Sequence, residues 1–185
     1  SGPAAGLWSV SLDAEDTAFL RADFEDVRVI DAAGRQWPFV LRSAVVTREV
    51  TPGAPSHDEA SSTYTVQVPG GRAWVEQLEL TSSTPFYARE ATVRADDERQ
   101  KKRTLGGASV SQAPDVAAQT RVFTQRSGGQ LVRALEVSVK DGAEQPLEDV
   151  KVTLTLRVPE LLVLGPAGRY SVLFGAATER RPAYD

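Results

Sequence analysis

The sequence predicts an all-β protein built as an antiparallel, jelly-roll-like β-sandwich, and three observations support that prediction. Apolar and polar residues alternate along roughly a dozen short segments, which is the pattern of strands buried on one face. Clusters of Gly, Pro, Ser and Asp separate these segments at the spacing typical of sandwiches and barrels. No stretch has helical periodicity longer than a turn or two, so the layer that covers each sheet is another sheet.

The clearest alternation lies between residues 131 and 158, in two arms joined by a connector. The first arm carries Leu135, Val137 and Val139 on one face. The second arm has a wholly apolar face and a wholly polar one, and its apolar residues are Val150, Val152, Leu154, Leu156 and Val158. We interpret the two arms as a strand pair of the core.

Before residue 55 the sequence predicts a short strand over residues 7–12 and then a hairpin. The hairpin arms are residues 27–29 and 37–41, around a turn that contains Gly34. Pro38 cannot donate to a ladder, so its arm is predicted to be an edge strand or to carry a bulge. Residues 1–55 are therefore expected to form a small β subdomain or extra strands of the same body.

Residues 51–62 are rich in Pro, Gly, Ser, Asp and Glu and predict a long loop or linker, after which regular strands resume. The main jelly-roll-like sandwich is predicted over residues 61–185. Its strands are expected at residues 64–68, 74–80, 86–95, 121–124 and 170–174. Pro159 is expected to end the ladder of the second arm, and the glycine pairs at 70–71, 106–107 and 128–129 are expected to serve hairpin geometry.

Composition excludes several functional classes. The chain has 185 residues, a formal net charge of -4 and interspersed charges, which argues against nucleic acid as a partner. There is no cysteine, so disulfides and thiolate chemistry are absent. There is also no methionine, which indicates a processed or excised chain, and no apolar run approaches the roughly 20 residues that a membrane span needs.

Catalytic motifs are sparse. His57 is the sole histidine and lies in the polar loop without a Gly-x-Ser-x-Gly elbow, which favours an exposed loop residue over a nucleophile-histidine pair. One histidine and no cysteine exclude a typical zinc site, and we expect no cofactor and no resident metal. Carboxylates near residues 96–98 and 141–149 leave calcium coordination open, although turns collect Asp and Glu for local hydrogen bonds as well.

Four residues are candidates for ligand binding. Arg89 and Arg133 each lie an even number of positions from the apolar residues of a predicted strand, which puts them on its apolar face. A charge on an apolar face needs a partner. Either they lie near strand ends and pair with carboxylates, or they line the mouth of the sandwich and bind an anionic or hydroxyl-rich ligand. Trp74 is either a core residue or a platform for sugar stacking, and Asp141 opens the connector between the two arms. We predict no catalytic residue.

The C-terminal part, residues 131–185, resembles a bacterial envelope family known as domain of unknown function 3999. The resemblance lies in the strand at 135–140, the connector Asp141-Gly-Ala-Glu-Gln-Pro-Leu147, the segment Tyr170-Ser-Val-Leu-Phe-Gly175 and the closing Pro182-Ala-Tyr-Asp185. It implies a periplasmic or otherwise extracytoplasmic β-sandwich, tethered in the full-length protein by a membrane segment after its end. No residue's role carries over, because the family has no established activity.

Two upstream segments add to the resemblance. Residues 27–34 and 37–40 are similar to that family's Arg-Val-x-Asn/Asp-x-x-Gly and Val-Pro-Phe pattern. Residues 86–97 resemble the strand and turn of galactose-binding-like (discoidin-like) sandwiches, although the turn here, residues 95–99, has no tryptophan after it. Such sandwiches host sugar, lipid and protein binding as well as structural roles.

These observations together predict a non-catalytic binding or structural module of a bacterial envelope protein, engaging a carbohydrate or another envelope protein. The alternative is a carboxylate-dependent polysaccharide hydrolase. Two facing carboxylates with strongly shifted pKa values would favour the hydrolase, whereas an aromatic and arginine-lined end would favour binding.

Overall fold

The computed structural model describes residues 5–20, 24–96, 102–125 and 130–175, and these ranges are almost entirely β-structure. The strands within these ranges are β1 (Gly6–Ser11), β2 (Arg28–Asp31), β3 (Gln36–Trp37), β4 (Phe39–Val50), β5 (Ser56–His57), β6 (Ser61–Gln67), β7 (Ala73–Thr81), β8 (Tyr87–Asp96), β9 (Lys102–Ala113), β10 (Val116–Gln119), β11 (Arg121–Thr124), β12 (Gln130–Val132), β13 (Ala134–Lys140), β14 (Lys151–Gly165) and β15 (Tyr170–Leu173). Two short 3-10 turns lie at Asp16–Phe19 and Pro69–Gly71.

The chain divides into two compact units. The first contains Ser1–Ala44 and Val158–Asp185, and the second contains Val45–Arg157. Strands β4 and β14 each contribute residues to both units. This grouping differs from the sequence-based boundaries of 1–55 and 61–185, because the C-terminal strands pair with the N-terminal ones; those boundaries stay a prediction.

In the first unit, β1 pairs antiparallel with the second half of β14, with Gly6 opposite Gly165. Strands β15, β2 and β3 form a small antiparallel sheet in which Asp31 lies opposite Tyr170 and Val29 opposite Trp37. The predicted hairpin is thereby confirmed. The buried core of this unit consists of apolar side chains from strands and turns alike: Leu12, Leu20, Val27, Val29, Phe39, Leu161 and Val163.

In the second unit, a six-stranded antiparallel sheet has the order β10-β9-β8-β13-β6-β5. The first half of β14 pairs with β7, and β7 also pairs with β11 and β12. Alternate side chains are buried on both sheets: Val66, Val93, Val137 and Val139 from the first, and Val75, Leu78, Leu80, Val152, Leu154 and Leu156 from the second. The fold is therefore the predicted all-β antiparallel sandwich.

The two arms of the clearest alternation are not paired with each other. Strand β13 pairs with β6 and β8, whereas β14 pairs with β1 and β7. The prediction of one strand pair was wrong, because period-two alternation shows which face of a strand is buried and not which strand is its neighbour. The connector 141–150 instead joins the two sheets.

Two local predictions also fail. Strand β14 continues through Pro159, because Arg157 is the last residue opposite β7 and Glu160 the first opposite β1, so the missing N–H falls where the strand changes partner. The glycine pair Gly106–Gly107 lies inside β9 rather than in a turn. A Cβ at Gly107 would come within 2.8 Å of the Ala91 carbonyl oxygen, which explains the glycine there.

Other predictions are met or fall outside the described residues. Gly70 and Gly71 do adopt the positive φ of a tight turn. The long polar loop contains the two-residue strand β5, which pairs with β6. The glycine pair at 128–129 and the closing segment at 182–185 lie outside the described residues.

Candidate functional site

Three loops of the second unit converge at one end of its strands, which we call the loop end. They are residues 51–60, residues 82–86 and the connector 141–150. Their convergence follows from the register, because Lys140 lies opposite Ser61 and Lys151 opposite Thr81. Loops held on a rigid sheet scaffold are the usual place for binding residues.

A cavity of about 530 Å³ opens among these loops. Its wall presents hydroxyl groups together with one carboxylate and one ammonium group; the lining residues are Thr51, Thr81, Ser82, Ser83, Asp149, Val150 and Lys151. We call it the loop-end cavity. The cavity was not predicted from the sequence, because its residues come from three separate segments that resemble ordinary turns.

Hydrogen bonds between the 82–86 loop and the connector fix the wall of the loop-end cavity. Ser82 Oγ donates to the Glu148 carbonyl oxygen at 2.5 Å, and Ser83 Oγ donates to Asp149 Oδ2 at 3.0 Å. The Glu148 amide donates to Thr84 Oγ1 at 2.9 Å. Asp149 has a φ of 45°, a conformation that Asp and Asn tolerate better than most residues.

An exposed aromatic ring belongs to the same loop. Phe86 is 66% exposed, in a position directly before the buried Tyr87 that begins β8. Single exposed apolar side chains are common on protein surfaces, so Phe86 alone does not mark a site. Tyr87 is the first residue of β8, and Phe86 lies just before the strand begins.

Asp141, a predicted ligand-binding residue, lies in a buried hydrogen-bond chain below the loops. Ser62 Oγ donates to Asp141 Oδ2, and Ser62 Oγ is 2.9 Å from Nδ1 of His57. The Asp141 amide also donates to the Ala60 carbonyl oxygen at 2.8 Å. Asp141 is therefore tied to β6 and to the 51–60 loop, and it does not line the loop-end cavity.

Arg89 is also buried at this end. Its side chain is 6% exposed and pairs through Nη2 with Glu144 Oε2, while Nη1 donates to the Ala88 carbonyl oxygen at 3.0 Å. Glu144 is 67% exposed and belongs to the connector. The structure thus brings Arg89 and Asp141 to the same end of the sandwich, where both hold the connector.

Two buried tyrosines at this end of the sandwich have a raised pKa. Burial raises the pKa of Tyr64, the negative charge of Asp141 raises it further, and a hydrogen bond with Ser62 opposes the rise. The Tyr64 hydroxyl donates to the Leu147 carbonyl oxygen at 3.4 Å. Burial also raises the pKa of Tyr87. The buried polar groups at this end therefore contact the connector at both of its halves.

Arg133 and Trp74 lie away from the loop end. Arg133 is exposed in the bend between β12 and β13, and its amide donates to the Asp96 carbonyl oxygen at 3.2 Å. Trp74 lies on β7 opposite Leu131, in the same region. The seven residues of β13 separate Arg133 from Asp141, a distance of about 26 Å at the rise of a strand. The four candidate residues therefore do not form one site.

The other two tryptophans pack in the first unit. The ring of Trp8 lies 4.9 Å from the ring of Tyr170, and the ring of Trp37 lies 5.9 Å from it, edge to face. Trp8 and Trp37 both pack against the core cluster of that unit. Trp8 and Trp37 are therefore packing residues of the first unit.

The hydrolase alternative calls for a carboxyl group whose pKa is raised. Among the described residues, the carboxyl groups with a displaced pKa are Asp31, Asp58 and Glu90, and each pKa is lowered, whereas a general acid needs a raised one. No group of three or more potential metal ligands occurs in the described ranges. No helix in the described part of the chain has the length and apolarity to cross a membrane.

Comparisons with known proteins give weak likenesses. No protein-family model matches the chain, so the resemblance to the envelope family has no support from one, and no curated protein matches. Similar solved structures include the C-terminal domain of a chitobiase from Bacteroides fragilis, at 14% identity and a TM-score of 0.35 over 62% of this chain and 69% of that one.

Two carbohydrate-binding modules are similar at the same level. The CBM32 of AlyQ in complex with 4,5-unsaturated mannuronic acid has 6% identity and a TM-score of 0.35, covering 84% of this chain and 95% of that one. A pectin-binding carbohydrate-binding module has 8% identity and a TM-score of 0.34, covering 98% of each chain. Likenesses of this strength do not decide a ligand for this chain.

Proposed function

We propose that this chain is a non-catalytic module that binds a carbohydrate in the loop-end cavity. One observation carries the proposal: the cavity wall combines four hydroxyl side chains with the carboxylate of Asp149 and the ammonium group of Lys151. A sugar presents a ring of hydroxyls that both donate and accept hydrogen bonds. Side-chain hydroxyls both donate and accept hydrogen bonds, a carboxylate accepts them and an ammonium group donates them.

Phe86 does not line the cavity, but it belongs to the same loop as Ser82 and Ser83, and the proposal assigns it the apolar contact with the ligand. The C–H face of a pyranose ring is apolar, and an exposed aromatic ring offers a flat surface that removes this face from water. Pockets for small ligands typically combine a large apolar surface with a few polar groups that fix orientation. The loop that carries Ser82, Ser83 and Phe86 provides both kinds of group within five residues.

The buried polar layer has a positioning role in this proposal. The Arg89–Glu144 pair, the Ser62–Asp141 hydrogen bond and the Tyr64 hydroxyl all end on the connector that carries Asp149. Fixing a binding loop before the ligand arrives lowers the entropy cost of binding. Arg89 and Asp141 then act on the ligand through the connector.

The size of the loop-end cavity sets the scale of the ligand. A volume of about 530 Å³ lies within the roughly 300–1,000 Å³ of typical small-ligand pockets and suits a few sugar units. A location outside the cytoplasm, on a bacterial envelope protein, is part of the proposal and is supported by the sequence resemblance alone. No specific observation favours the hydrolase.

A glycan array followed by titration calorimetry tests the proposal. The wild-type chain is expected to bind at least one glycan, and Phe86→Ala and Asp149→Asn are each expected to weaken binding about tenfold or more. Asn keeps an acceptor for Ser83 and tolerates the positive φ at position 149, so that variant isolates the loss of charge.

Leu7→Ala is the matched control, because Leu7 is an exposed apolar residue of the first unit, at 70% exposure. It is expected to bind as the wild type does. Failure of the wild type to bind any glycan on the array, or equal binding by both loop-end variants, would contradict the proposal. Cleavage of a bound glycan, followed by chromatography of the products, would instead favour the hydrolase.

A further inference from the structure

A second cavity, of about 220 Å³, lies in the first unit between two neighbouring turns. One turn follows β2 and the other precedes β15, and they emerge together because Asp31 is opposite Tyr170 in the ladder. We call it the turn cavity. Its lining residues are Asp31, Ala32, Ala33, Arg35, Pro166, Ala167, Gly168, Arg169 and Tyr170.

The only carboxylate of this lining is fully engaged. Asp31 Oδ1 accepts from the amides of Ala33 and Arg35 at 2.9 and 3.0 Å, and Oδ2 accepts from Arg35 Nε at 2.8 Å and Trp37 Nε1 at 3.1 Å. Burial raises the pKa of Asp31, but the hydrogen bonds, that from Trp37 first, outweigh it and lower the pKa to about 2. The carboxylate therefore has no acceptor capacity left for a ligand.

Two guanidinium groups of the lining keep free donors. Arg35 uses Nε on Asp31, and its two terminal nitrogens make no hydrogen bond within the described ranges. Arg169 makes no side-chain hydrogen bond or ion pair in the described part of the chain. With one carboxylate against two guanidinium groups, the lining carries a net positive charge. Its unused side-chain groups are therefore cationic donors.

The walls of the turn cavity are fixed before a ligand arrives. The Tyr170 hydroxyl donates to the Pro166 carbonyl oxygen at 2.9 Å, which closes the second turn. A Cβ at Gly165 would lie 2.6 Å from that hydroxyl, so the tyrosine packs directly on the glycine backbone. The Asp31 amide donates to the Arg35 carbonyl oxygen at 3.0 Å, which closes the first turn.

We propose that the turn cavity binds a small oxyanion, a carboxylate or a phosphate group, between Arg35 and Arg169. Planar guanidinium groups match such anions with paired, charge-assisted hydrogen bonds. The volume is below that of typical small-ligand pockets, so the site accommodates a single anionic group or one sugar-acid unit. This site belongs to the first unit and does not depend on the proposed function of the loop-end cavity.

Amide NMR titrations of the ¹⁵N-labelled chain test the site. The probes are acetate, D-galacturonate and inorganic phosphate, with D-galactose as the neutral counterpart and sodium chloride added to hold ionic strength constant. Each anion that binds is expected to shift the amides of residues 32–35 and 167–170, and galactose is expected to leave them unchanged. Response to acetate and galacturonate identifies a carboxylate site, and response to phosphate alone identifies a phosphate site.

Arg169→Gln is expected to weaken anion binding about tenfold, and Arg169→Lys by less, because lysine keeps the charge without the paired geometry. Arg103→Gln, which removes an exposed arginine of β9, is the matched control and is expected to bind as the wild type does. Unchanged amides at both turns with every anion, equal shifts with chloride, or unchanged binding by a folded Arg169→Gln variant would overturn the proposal.

Discussion

Removing Glu144, the exposed partner of Arg89, is predicted to destabilise the protein more than the loss of a typical surface carboxylate would. Glu144 is 67% exposed, but the guanidinium that it neutralises is 6% exposed. A fully exposed ion pair contributes about 0–1 kcal/mol, and a hydrogen bond to a buried charged group about 1.5–3 kcal/mol. Since one partner is buried and the other is not, we expect Glu144→Ala to lower the free energy of unfolding by about 1–2 kcal/mol.

A double-mutant cycle isolates this contribution. Arg89→Met removes the charge while keeping a long apolar side chain in the same space, so the buried group no longer needs a partner. In the Arg89→Met background, Glu144→Ala is expected to cost less than about 0.5 kcal/mol. The matched control is Glu59→Ala, which removes an exposed carboxylate from a neighbouring loop and is expected to stay within about 0.5 kcal/mol of wild type.

Urea unfolding, monitored by tryptophan fluorescence and circular dichroism, measures the free energy of unfolding of all four proteins in the cycle. In a separate thermal unfolding experiment, the expected change in Tm for Glu144→Ala is a decrease of about 2–8 °C for a protein of this size. A coupling energy indistinguishable from zero would show that water, rather than Glu144, satisfies the Arg89 guanidinium. The positioning role assigned to this pair would then be refuted.

Two further predictions concern the backbone and pH. Gly107→Ala is expected to lower the free energy of unfolding by about 1–3 kcal/mol, because its Cβ would meet the Ala91 carbonyl 2.8 Å away. Gly106→Ala should cost less, since its nearest neighbour is a movable side-chain atom of Phe123 at 3.3 Å; equal urea midpoints for the two variants would contradict this reasoning. The pKa of Asp31 is lowered from 3.8 to about 2, so its contribution to stability is present above pH 4 and disappears as the pH falls to about 2. Wild type should therefore be more stable than Asp31→Asn at pH 7, and this difference should vanish near pH 2 in parallel urea titrations.

The sequence predicted the strands well where one face is wholly apolar. Residues Val152, Leu154 and Leu156 alternate without exception and lie in the core as expected. Prediction failed where the local signal had a second physical cause. A proline usually ends a strand ladder, but Pro159 occupies the position where β14 stops pairing with β7 and begins pairing with β1. Paired glycines usually mark a turn, but Gly107 lies within a strand, where it permits a close approach to a neighbouring backbone.

The sequence likewise predicted some features of the candidate site and not others. Parity alone identified Arg89 as a charge on an apolar face, and the structure gives it the carboxylate partner that such a position requires. Parity also selected Arg133, which lies in an exposed bend, because the alternation was extended across a break between two strands. The cavity-lining residues Ser82, Ser83 and Asp149 gave no signal, since serine and aspartate are ordinary turn residues.

The sequence by itself determined the all-β class, the buried faces of the main strands and the absence of cysteine chemistry. These follow from side-chain composition and a period of two residues, which are local properties of the chain. Only the tertiary structure decided which strands are neighbours, that β13 and β14 pair with different strands, and that loops distant in sequence form the loop-end cavity and the turn cavity. Strand pairing depends on hydrogen bonds between backbone groups, which are the same in nearly every residue. The sequence of a strand therefore does not identify which strand lies beside it.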